Sequence, residues 1–372
     1  MTQSVVVVGG GIIGCAIAYE LAKVGCAVTL LERGLPGAEA SSAAAGLLAP
    51  VGESRHPGPF QELALESWRL YPAVVAELRE QTGVDVEHMT AGTLYPILHR
   101  TGLDGARERT TWPLAREFGV RVVEAAELAG LEPALSKEVR WSLFVQGDHW
   151  VNNQRLVAAY ATAAARRGAT LRNGTEASRI LVEGGRARGV IADGERIAGD
   201  WVILAAGAWS GTLAGPGVRL PVAPVRGQMF AVNNVPPLLA HAVHAEKVYL
   251  VPRPSGELLV GATVEHAGFL RAVTPDGIGG LIAAATELVP ELGQRPIVRS
   301  WCGFRPWAPD GLPILGPWPD VEGLLVATGH YRNGILLAPV TAAALAECVL
   351  TGRAPAMLGP FLPDRFIASR QD

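Results

Sequence analysis

The chain of 372 residues is poor in cysteine, in charge and in aromatic side chains. Its cysteines, Cys15, Cys26, Cys302 and Cys348, have no metal-like spacing and no disulfide pattern, which is typical of a reducing compartment. Charged residues make up 18%, and the net charge of −3 comes without a basic block, so nothing favours nucleic-acid binding. With 49% hydrophobic residues and 44 glycines the chain can bury a large core, which excludes a disordered or fibrous protein.

The N-terminus and the longest apolar stretch both lack the features of a targeting or membrane segment. The chain begins Met-Thr-Gln-Ser before a run of valines, without the basic n-region of a signal peptide. Residues 334–349 include Pro339 and Glu347 and fall short of the roughly 18 apolar residues usual for a membrane span. We therefore expect a cytoplasmic protein without a transmembrane segment, in which this stretch forms a buried amphipathic helix with Pro339 near its first turn.

Three N-terminal segments predict a strand, a helix and a second strand. Residues 4–8 are nearly all valine, as in a buried parallel strand. Residues 12–24 are apolar almost all round and end at Gly25, and residues 27–31 form a second apolar run. This order is the βαβ unit of about 30 residues on which dinucleotide-binding folds are built.

The rest of the chain predicts further elements without a clean linker between domains. Turn signals at 184–185 and 193–194 mark short hairpin strands, and residues 219–264 alternate as in an antiparallel sheet. The other predicted elements are helices over 60–81 and 152–167 and strands over 201–205 and 324–327. We expect an α/β fold in which two domains are interleaved.

A glycine-rich turn joins the first strand to the first helix and matches G-x-G-x-x-G over residues 9–14. Gly9 permits the tight turn, Gly11 lets a pyrophosphate approach the backbone, and Gly14 lets helix and strand pack closely. The free N–H groups and the positive end of the helix would then face the anion. A dinucleotide site is therefore predicted here.

The residues after the second strand bear on which dinucleotide binds. Glu32 lies 18 residues after Gly14, where a carboxylate accepts hydrogen bonds from ribose hydroxyls. Arg33 could instead indicate a 2′-phosphate, but Glu32 would repel one. The motif alone leaves FAD and NAD open. The small, hydroxyl-bearing run over 41–48 favours a large planar cofactor lying flat against it, with the hydroxyls on its phosphates.

Six segments, spread from end to end, carry a resemblance to a known family. They are the fingerprint with Glu32 and residues 41–46, 204–210, 249–253, 301–306 and 329–335. On these segments the chain resembles the D-amino-acid oxidase family of flavoproteins, and most closely the glycine oxidases of thiamine biosynthesis. The resemblance implies non-covalently bound FAD in a Rossmann-like FAD-binding domain, interleaved with a substrate domain built on an antiparallel β-sheet with flanking helices.

With this resemblance we expect a FAD-binding domain over 1–84, 146–217 and 321–372, and a substrate domain over 85–145 and 218–320. No metal site is expected. The residues expected to bind FAD are Gly9, Gly11, Ile12, Ile13, Gly14, Glu32, Arg33, Ser41, Ser42, Ala44, Ala45, Gly46, Leu47, Ala177, Ala206, Gly207, Trp209, Gly303, Arg305, His330, Arg332, Asn333, Gly334 and Ile335.

The resemblance also implies a substrate site. Tyr249 and Arg305 correspond to a pair that holds the substrate carboxylate, and Arg332 lies in the segment beside flavin and substrate. Glu53 and Ala49 belong to the substrate entrance. A guanidinium suits a carboxylate because it donates two parallel hydrogen bonds, and a phenol hydroxyl can add another.

Four side chains in or near these segments leave alternatives open. Arg305 stands among apolar residues and needs an anionic partner, either the substrate or an internal carboxylate such as Asp310. Cys302 is interpreted as a buried inert thiol, with covalent attachment of the flavin as the minority hypothesis. For His330 we favour capping or packing over proton transfer, and Lys247 replaces the neutral or histidine side chain expected from relatives.

The implied reaction is oxidative deamination of glycine, sarcosine and small D-amino acids. Hydride would pass from Cα to flavin N5, with O₂ as second substrate, giving a 2-oxo acid, ammonia (or methylamine) and hydrogen peroxide. The first alternative is a dehydrogenase that passes electrons to a quinone or a protein. A catalytically silent flavin-binding module and a nicotinamide dehydrogenase are more distant alternatives. A homo-oligomer is expected, and no nucleic-acid partner.

Overall fold

The computed structural model describes residues 2–54, 56–213 and 220–366. The predicted domain ranges, and the start of the predicted antiparallel region at 219, extend into residues 1, 55, 214–219 and 367–372, which lie outside the described residues. The helices are α1 (Ile12–Lys23), α2 (Ala40–Ala43), α3 (Pro59–Thr82), α4 (Gly102–Arg109), α5 (Ala125–Leu131), α6 (Asn153–Arg166), α7 (Pro275–Leu288) and α8 (Gly334–Thr351). Short 3₁₀ segments are Gly207–Gly211, Pro290–Gln294, Ala356–Phe361 and Pro363–Phe366.

The strands confirm the expected α/β class. They are β1 (Ser4–Val8), β2 (Ala27–Glu32), β3 (Leu47–Leu48), β4 (Thr93–Ile97), β5 (Val120–Glu124), β6 (Trp141–Val145), β7 (His149–Trp150), β8 (Thr170–Asn173), β9 (Ala177–Glu183), β10 (Arg186–Ala192), β11 (Glu195–Ala198), β12 (Trp201–Leu204), β13 (Ala223–Asn233), β14 (Ala242–His244), β15 (Tyr249–Pro252), β16 (Glu257–Gly261), β17 (Ile297–Trp307), β18 (Ile314–Pro317) and β19 (Leu324–Thr328).

The first sheet is built around the predicted βαβ unit. In the described chain it has six strands in the order β18-β19-β12-β1-β2-β8, all parallel except the edge strand β18. Val5 and Val7 of β1 belong to one core cluster, shared with α1, α3, α6 and α8, whereas Val6 and Val8 belong to a second, shared with β9 and β10. Because both faces of β1 are buried, its sequence is an unbroken run of apolar residues rather than an alternation of apolar and polar ones.

The second sheet is mostly antiparallel. Its eight described strands have the order β17-β13-β16-β15-β14-β4-β6-β5, and only β14 and β4 pair in parallel. Leu281, Ala285 and Leu288 of α7 pack on Phe230 and Leu250 of this sheet. The alternation predicted for 219–264 therefore corresponds to β13–β16, which turn one face toward α7 and leave the other for the region between the two sheets.

The two sheets draw on alternating parts of the chain, which is the pattern behind the interleaved domain ranges. Those ranges remain a prediction. Strand β18 falls inside the range 218–320 assigned to the substrate domain, yet it pairs with β19 of the first sheet. We propose that the last boundary lies before Ile314 rather than at 320, since hydrogen bonding assigns β18 to the first sheet.

Helix α8 is a core helix. It is long and apolar enough to cross a membrane by length and composition, but 72% of it is buried inside the fold. Buried residues occur all round it, so the amphipathic helix we predicted is wrong in that respect. Pro339 lies in the second turn rather than near the first, where it removes a backbone donor for the carbonyl of Ile335.

Two side chains of α3 repair the hydrogen bonds that α8 loses around Pro339. The Tyr71 hydroxyl donates to the carbonyl of Ile335. The Ser67 hydroxyl donates to the carbonyl of Leu336 at 2.6 Å and accepts the N–H of Val340 at 3.3 Å, bridging the next helical pair. The beginning of α8 is thus fixed by α3, and this end of the helix faces the candidate site described below.

We expect Tyr71→Phe to destabilise the fold by about 1–3 kcal/mol, because it leaves a buried carbonyl oxygen without a donor. The free energy of unfolding from denaturant titration measures the loss. Adding Pro339→Ala returns a backbone N–H for the Ile335 carbonyl, so the double variant should be less destabilised than the two single effects added together. Strict additivity would contradict this account of the pairing.

Candidate functional site

The turn between β1 and α1 has almost no free space for side chains. Gly9 has a φ of +107°. A Cβ at this position would lie 2.5 Å from the carbonyl oxygen of Ala205, the residue directly after β12. A Cβ at Gly14 would lie 1.8 Å from the carbonyl oxygen of Gly9. The glycines therefore bring the first turn of α1 directly against the ends of β1 and β12.

The start of α1 is prepared to receive an anion. The Ile12 N–H donates to Ser41 Oγ at 2.9 Å, which leaves the hydroxyl proton of Ser41 available to another acceptor. Glu32 accepts the N–H of Gly10 at 2.7 Å on one oxygen and that of Gly34 at 2.8 Å on the other. Its carboxylate is therefore held in place at the end of β2 by two backbone donors.

A first cleft of about 1140 Å³, its open mouth included, runs from this turn to the start of α8. It contains many of the residues predicted to bind FAD. Those lining it are Gly9, Gly11, Ile12, Ile13, Glu32, Arg33, Ser41, Ala44, Ala177, Ala206, Gly207, Trp209, His330, Arg332, Gly334 and Ile335. Residues of the lining that were not predicted include Glu39, Thr175, Phe304, Pro306 and Tyr331.

One wall of the first cleft is a stack of cationic and aromatic side chains. The Arg33 guanidinium lies 3.8 Å from the ring centre of Trp209 and pairs with Glu39 at 2.8 Å. Trp209 in turn stacks on Phe269, with ring centres 4.9 Å apart. Since Arg33 is already paired with Glu39 and Trp209, its alternative role toward a 2′-phosphate has no support in the structure.

The first cleft fits FAD. Backbone N–H groups at a helix start suit a pyrophosphate, the anchored Glu32 suits ribose hydroxyls, and small apolar residues such as Ala44 leave room for a planar ring. Gly334 and Ile335, the first residues of α8, also line the cleft, with Gly334 close to Ile12, and the positive end of this helix favours negative charge. The donor set and the shape of the cleft thus agree with a flavin dinucleotide.

A second cleft of about 760 Å³, mouth included, lies beside the first and shares part of its wall, including Ala40 of α2 and Ala44 just after it. It contains the remaining residues predicted for the substrate and the flavin. Those lining it are Ala44, Ala45, Gly46, Leu47, Glu53, Tyr249, Gly303, Arg305, Arg332, Asn333 and Ile335. Sequence reasoning missed Gly227, Met229, His244 and Tyr331, which also line it.

Arg305 enters the second cleft from β17 without a carboxylate partner among the described residues. One of its terminal nitrogens donates to the carbonyl oxygens of Thr263 at 2.9 Å and Arg226 at 3.4 Å. Asp310, the internal partner that we considered, pairs instead with Arg365 at 2.7 Å. That alternative is wrong, because the turn after β17 carries Asp310 toward the C-terminal 3₁₀ segment, and the rest of the Arg305 guanidinium stays available to a ligand.

Tyr249 stands next to Arg305. Its hydroxyl lies 3.4 Å from the sulfur of Met229. Burial raises the pKa of the Tyr249 phenol, and the nearby Arg305 only partly opposes this. The phenol therefore keeps its proton at neutral pH and can donate a hydrogen bond to a ligand bound beside Arg305.

The lining of the second cleft also includes an ion pair. Arg332 donates to Glu53 at 2.7 Å, and the side chains are 43% and 8% exposed. Ala49 is buried and does not line either cleft; its carbonyl accepts the N–H of Glu53 at 2.9 Å, so it holds the loop rather than the ligand. His244 Nδ1 lies 3.9 Å from Glu53, which is too long for a hydrogen bond.

A buried cation fixes the loop that separates the two clefts. Arg253, 7% exposed, donates to the carbonyls of Ala45 and Val151 and to the side chain of Asn153. Asn153 in turn donates to the carbonyl of Ser41 at 2.6 Å. Burial lowers the pKa of Arg253 to about 10, so the guanidinium stays charged at neutral pH. No local pattern indicated this role, although Arg253 lies in a segment that carried the resemblance.

Several predicted or discussed residues lie outside the clefts. Gly14 packs against the turn, and the Ser42 carbonyl accepts a hydrogen bond from Asn153. Cys302 is buried without lining either cleft, which gives covalent attachment no support. Lys247 is exposed and also lies outside both clefts.

His330 behaves as a packing residue. It is 4% exposed, its Nε2 lies 3.2 Å from the Thr341 hydroxyl, and burial lowers its pKa to about 3. A ring that stays neutral at neutral pH, packed against the body of α8, agrees with the preference for packing over proton transfer.

A second buried carboxylate supports the loop that carries Glu53. Asp148 is fully buried and accepts hydrogen bonds from the Tyr95 hydroxyl at 2.6 Å and from the N–H of Gly52 at 3.1 Å. Arg109 donates to the carbonyl of Val51 in the same loop. Burial raises the pKa of Asp148 from 3.8 to about 7 despite these donors.

This raised pKa predicts a pH-dependent stability. Between about pH 4 and 7 the unfolded chain loses the Asp148 proton while the folded chain keeps it, so the contribution of Asp148 to stability falls as pH rises through that window. Asp148→Asn keeps the acceptor but cannot ionise. We expect the wild type to lose about 1–4 kcal/mol relative to this variant between pH 4.5 and 8, measured by denaturant unfolding. A constant difference across that range would refute the assignment.

Known proteins resemble this chain over nearly its whole length. The family model described as FAD dependent oxidoreductase matches residues 4–348. A glycine oxidase from Pseudomonas aeruginosa is 38% identical over 357 residues, covering 95% of this chain and 96% of the relative. A glycine oxidase from Geobacillus kaustophilus is 39% identical over 371 residues, 98% of this chain and 97% of the relative.

Solved structures agree with these sequence relatives. The crystal structure of the Geobacillus kaustophilus glycine oxidase superposes with a TM-score of 0.91, covering 97% of this chain and 98% of that one. An iminodiacetate oxidase from Chelativorans sp. BNC1, 29% identical, superposes with a TM-score of 0.88 and covers 96% of this chain and 98% of that one. Both therefore share the overall fold of this chain.

Proposed function

The chain belongs to the family of FAD-dependent oxidoreductases, and on that premise we propose that it oxidises glycine, sarcosine and small D-amino acids. It is an FAD-dependent amino-acid oxidase of the glycine oxidase type. The products would be a 2-oxo acid, ammonia or methylamine, and hydrogen peroxide from O₂. Location in the cytoplasm and assembly into a homo-oligomer remain predictions.

The observation that carries this proposal is a guanidinium with free donors beside the cofactor cleft. Arg305 has no carboxylate partner among the described residues and opens into the second cleft next to the Tyr249 phenol. A partly buried cation in that setting binds an anion of matching shape, and a substrate carboxylate can take two parallel hydrogen bonds from it. The shared wall with the first cleft would bring the rest of the substrate against the flavin.

FAD, when bound, would supply the two-electron acceptor for the Cα–H bond, and the protein would supply orientation. In this proposal Ser41, Glu32 and the start of α1 hold the dinucleotide. Arg305 and Tyr249 fix the carboxylate end of the substrate, and the wall residue Ala44 separates the two clefts. No side chain need act as a strong base once the substrate amine is neutral.

The lining of the second cleft is compatible with a small amino acid. The aromatic and sulfur side chains of Tyr249, Met229 and Tyr331 line it together with Leu47, and the Glu53–Arg332 pair limits its polar side. In this proposal glycine or sarcosine would bind there with its carboxylate on Arg305. The alternative of a dehydrogenase with a quinone or protein acceptor keeps the same amine site and differs only in the electron acceptor.

Oxygen uptake by the FAD-loaded enzyme tests the proposal. A panel of glycine, sarcosine, D-alanine, D-proline and L-amino acids should give uptake and hydrogen peroxide with the small amines. Anaerobic bleaching of the flavin by glycine without peroxide formation in air would favour the dehydrogenase. Failure of every amine to bleach the flavin would overturn the proposal and favour a silent flavin-binding module.

A further inference from the structure

The two oxygens of Glu53 have different surroundings. Glu53 is the only carboxylate among the described residues that line the second cleft. Its Oε2 accepts a hydrogen bond from Arg332 at 2.7 Å. Its Oε1 lies 3.9 Å from His244 Nδ1 and has no hydrogen-bond partner among the described residues. A carboxylate oxygen that has no hydrogen-bond partner and is largely shielded from water can be stabilised by a ligand that donates a hydrogen bond to it.

The residues around Glu53 neutralise its negative charge only in part. Arg332 is 43% exposed, so solvent screens its attraction for Glu53, which is only 8% exposed. His244 adds no positive charge at neutral pH because burial lowers its pKa. Arg305 and Glu53 both lie near enough to Tyr249 to influence the pKa of its phenol, so a cation and an anion flank the same small space.

We propose that Glu53 Oε1 accepts a hydrogen bond from the amino group of the substrate and thereby selects amino acids over acids that lack an amine. This role rests on the proposed function. Arg305 would bind the carboxylate end and Glu53 the amine end, a charge arrangement complementary to a zwitterion. An acid without an amine would satisfy Arg305 but leave Oε1 of Glu53 without a donor.

The pairing with Arg332 suits this role. An unpaired buried carboxylate would hold a bound amine in its ammonium form, whereas oxidation requires the neutral amine. Because Arg332 offsets part of the charge on Glu53, the carboxylate can accept the N–H without stabilising the ammonium as strongly. The support of the loop through Gly52 and Val51 is separate from the Glu53 side chain, so Glu53→Gln should leave the loop in place.

Binding to the reduced holoenzyme separates this role from a structural one. Under nitrogen, dithionite-reduced enzyme has no oxidant for glycine, so equilibrium binding of glycine and acetate can be compared by titration calorimetry. We expect Glu53→Gln to raise the Kd of glycine by about tenfold or more, and to leave the Kd of acetate unchanged or lower it. The affinity for acetate can increase because the substitution removes the negative charge of Glu53, which repels the acetate carboxylate. A general distortion of the cleft would instead weaken both ligands.

Glu257→Gln is the matched control, because Glu257 also pairs with an arginine, Arg299, but lies outside both clefts. It should leave both Kd values unchanged. If glycine and acetate shift by the same factor in Glu53→Gln, or if the Kd of glycine does not change, the proposed role is overturned. Should Glu53→Gln not fold, Glu53→Asp and Glu53→Asn supply the same contrast between a charged and a neutral side chain of equal length.

The failure of this inference can be told from the failure of the proposed function. A wild-type enzyme that binds acetate but is neither bound nor reduced by glycine would overturn both. A wild-type enzyme that binds and is reduced by glycine, with Glu53→Gln binding glycine equally well, would overturn only the role of Glu53.

Discussion

Replacing Arg305 by alanine is expected to raise the KM for glycine about 100-fold or more while FAD stays bound. The substitution removes the cation that would hold the substrate carboxylate, and the loss of one partner of a desolvated charge pair costs about 2–5 kcal/mol. Although Arg305 is among the residues expected near FAD, it lines the second cleft and not the first, so the contacts that the first cleft offers to FAD, those of Glu32 and Ser41 among them, are untouched. Steady-state kinetics with glycine, together with the flavin content of the purified variant, measures both effects.

Arg299→Ala is the matched control for that experiment. Arg299 lies on the same strand, β17, pairs with Glu257 and is 41% exposed. Its loss should change the KM by less than about twofold, since exposed ion pairs contribute little. If Arg305→Ala leaves the KM unchanged, Arg305 does not bind the carboxylate. If Arg305→Ala loses its flavin, the effect on KM cannot be assigned to substrate binding and the separation of the two clefts is wrong.

Gly14→Ala is expected to abolish retention of FAD and to destabilise the fold by more than about 3 kcal/mol. A Cβ at this position would lie 1.8 Å from the backbone oxygen of Gly9, and no side-chain rotation relieves a contact with backbone. Helix α1 would have to move away from β1, which carries its free N–H groups away from the cofactor cleft. Flavin absorbance after gel filtration and thermal unfolding report the two losses.

Gly280→Ala is the corresponding control. Gly280 lies within helix α7, and a Cβ there meets no atom within 4 Å. This substitution should leave FAD bound and raise stability by up to about 1 kcal/mol, because alanine favours the helix more than glycine does. A Gly14→Ala variant that purifies with full flavin content and unchanged stability would contradict the close packing seen at the first turn of α1.

The parts of the fold that could be predicted from the sequence are those specified by neighbouring residues. One βαβ unit is predicted by the adjacent patterns within about 30 residues: the apolar run over 4–8, the glycine turn and the apolar helix after it. The same holds for the end of β19 and the start of α8. That the glycine turn and the start of α8 meet in one cleft depends instead on the packing of α1 and α8 in one core.

The features that sequence reasoning missed depend on contacts between distant residues. Gly227 lines the second cleft because β13 pairs with β17, which places Gly227 opposite Gly303, a pairing between distant parts of the chain that no local pattern encodes. Arg253 is an unremarkable arginine in sequence, and its role follows only when the loop around Ala45 packs on it. The Asp310 alternative for Arg305 failed for the same reason, since nearness in sequence did not become nearness in space.

The buried clamp formed by Arg253 and Asn153 has a consequence for how the enzyme can diverge. It fixes a single strip of small residues, including Ala44, that lines the proposed cofactor cleft and the proposed substrate cleft. A mutation in this strip must satisfy two ligands at once. Met229 and His244 line only the second cleft, so new amine specificities should arise through changes at these two positions. The strip should vary less, because it lines both clefts.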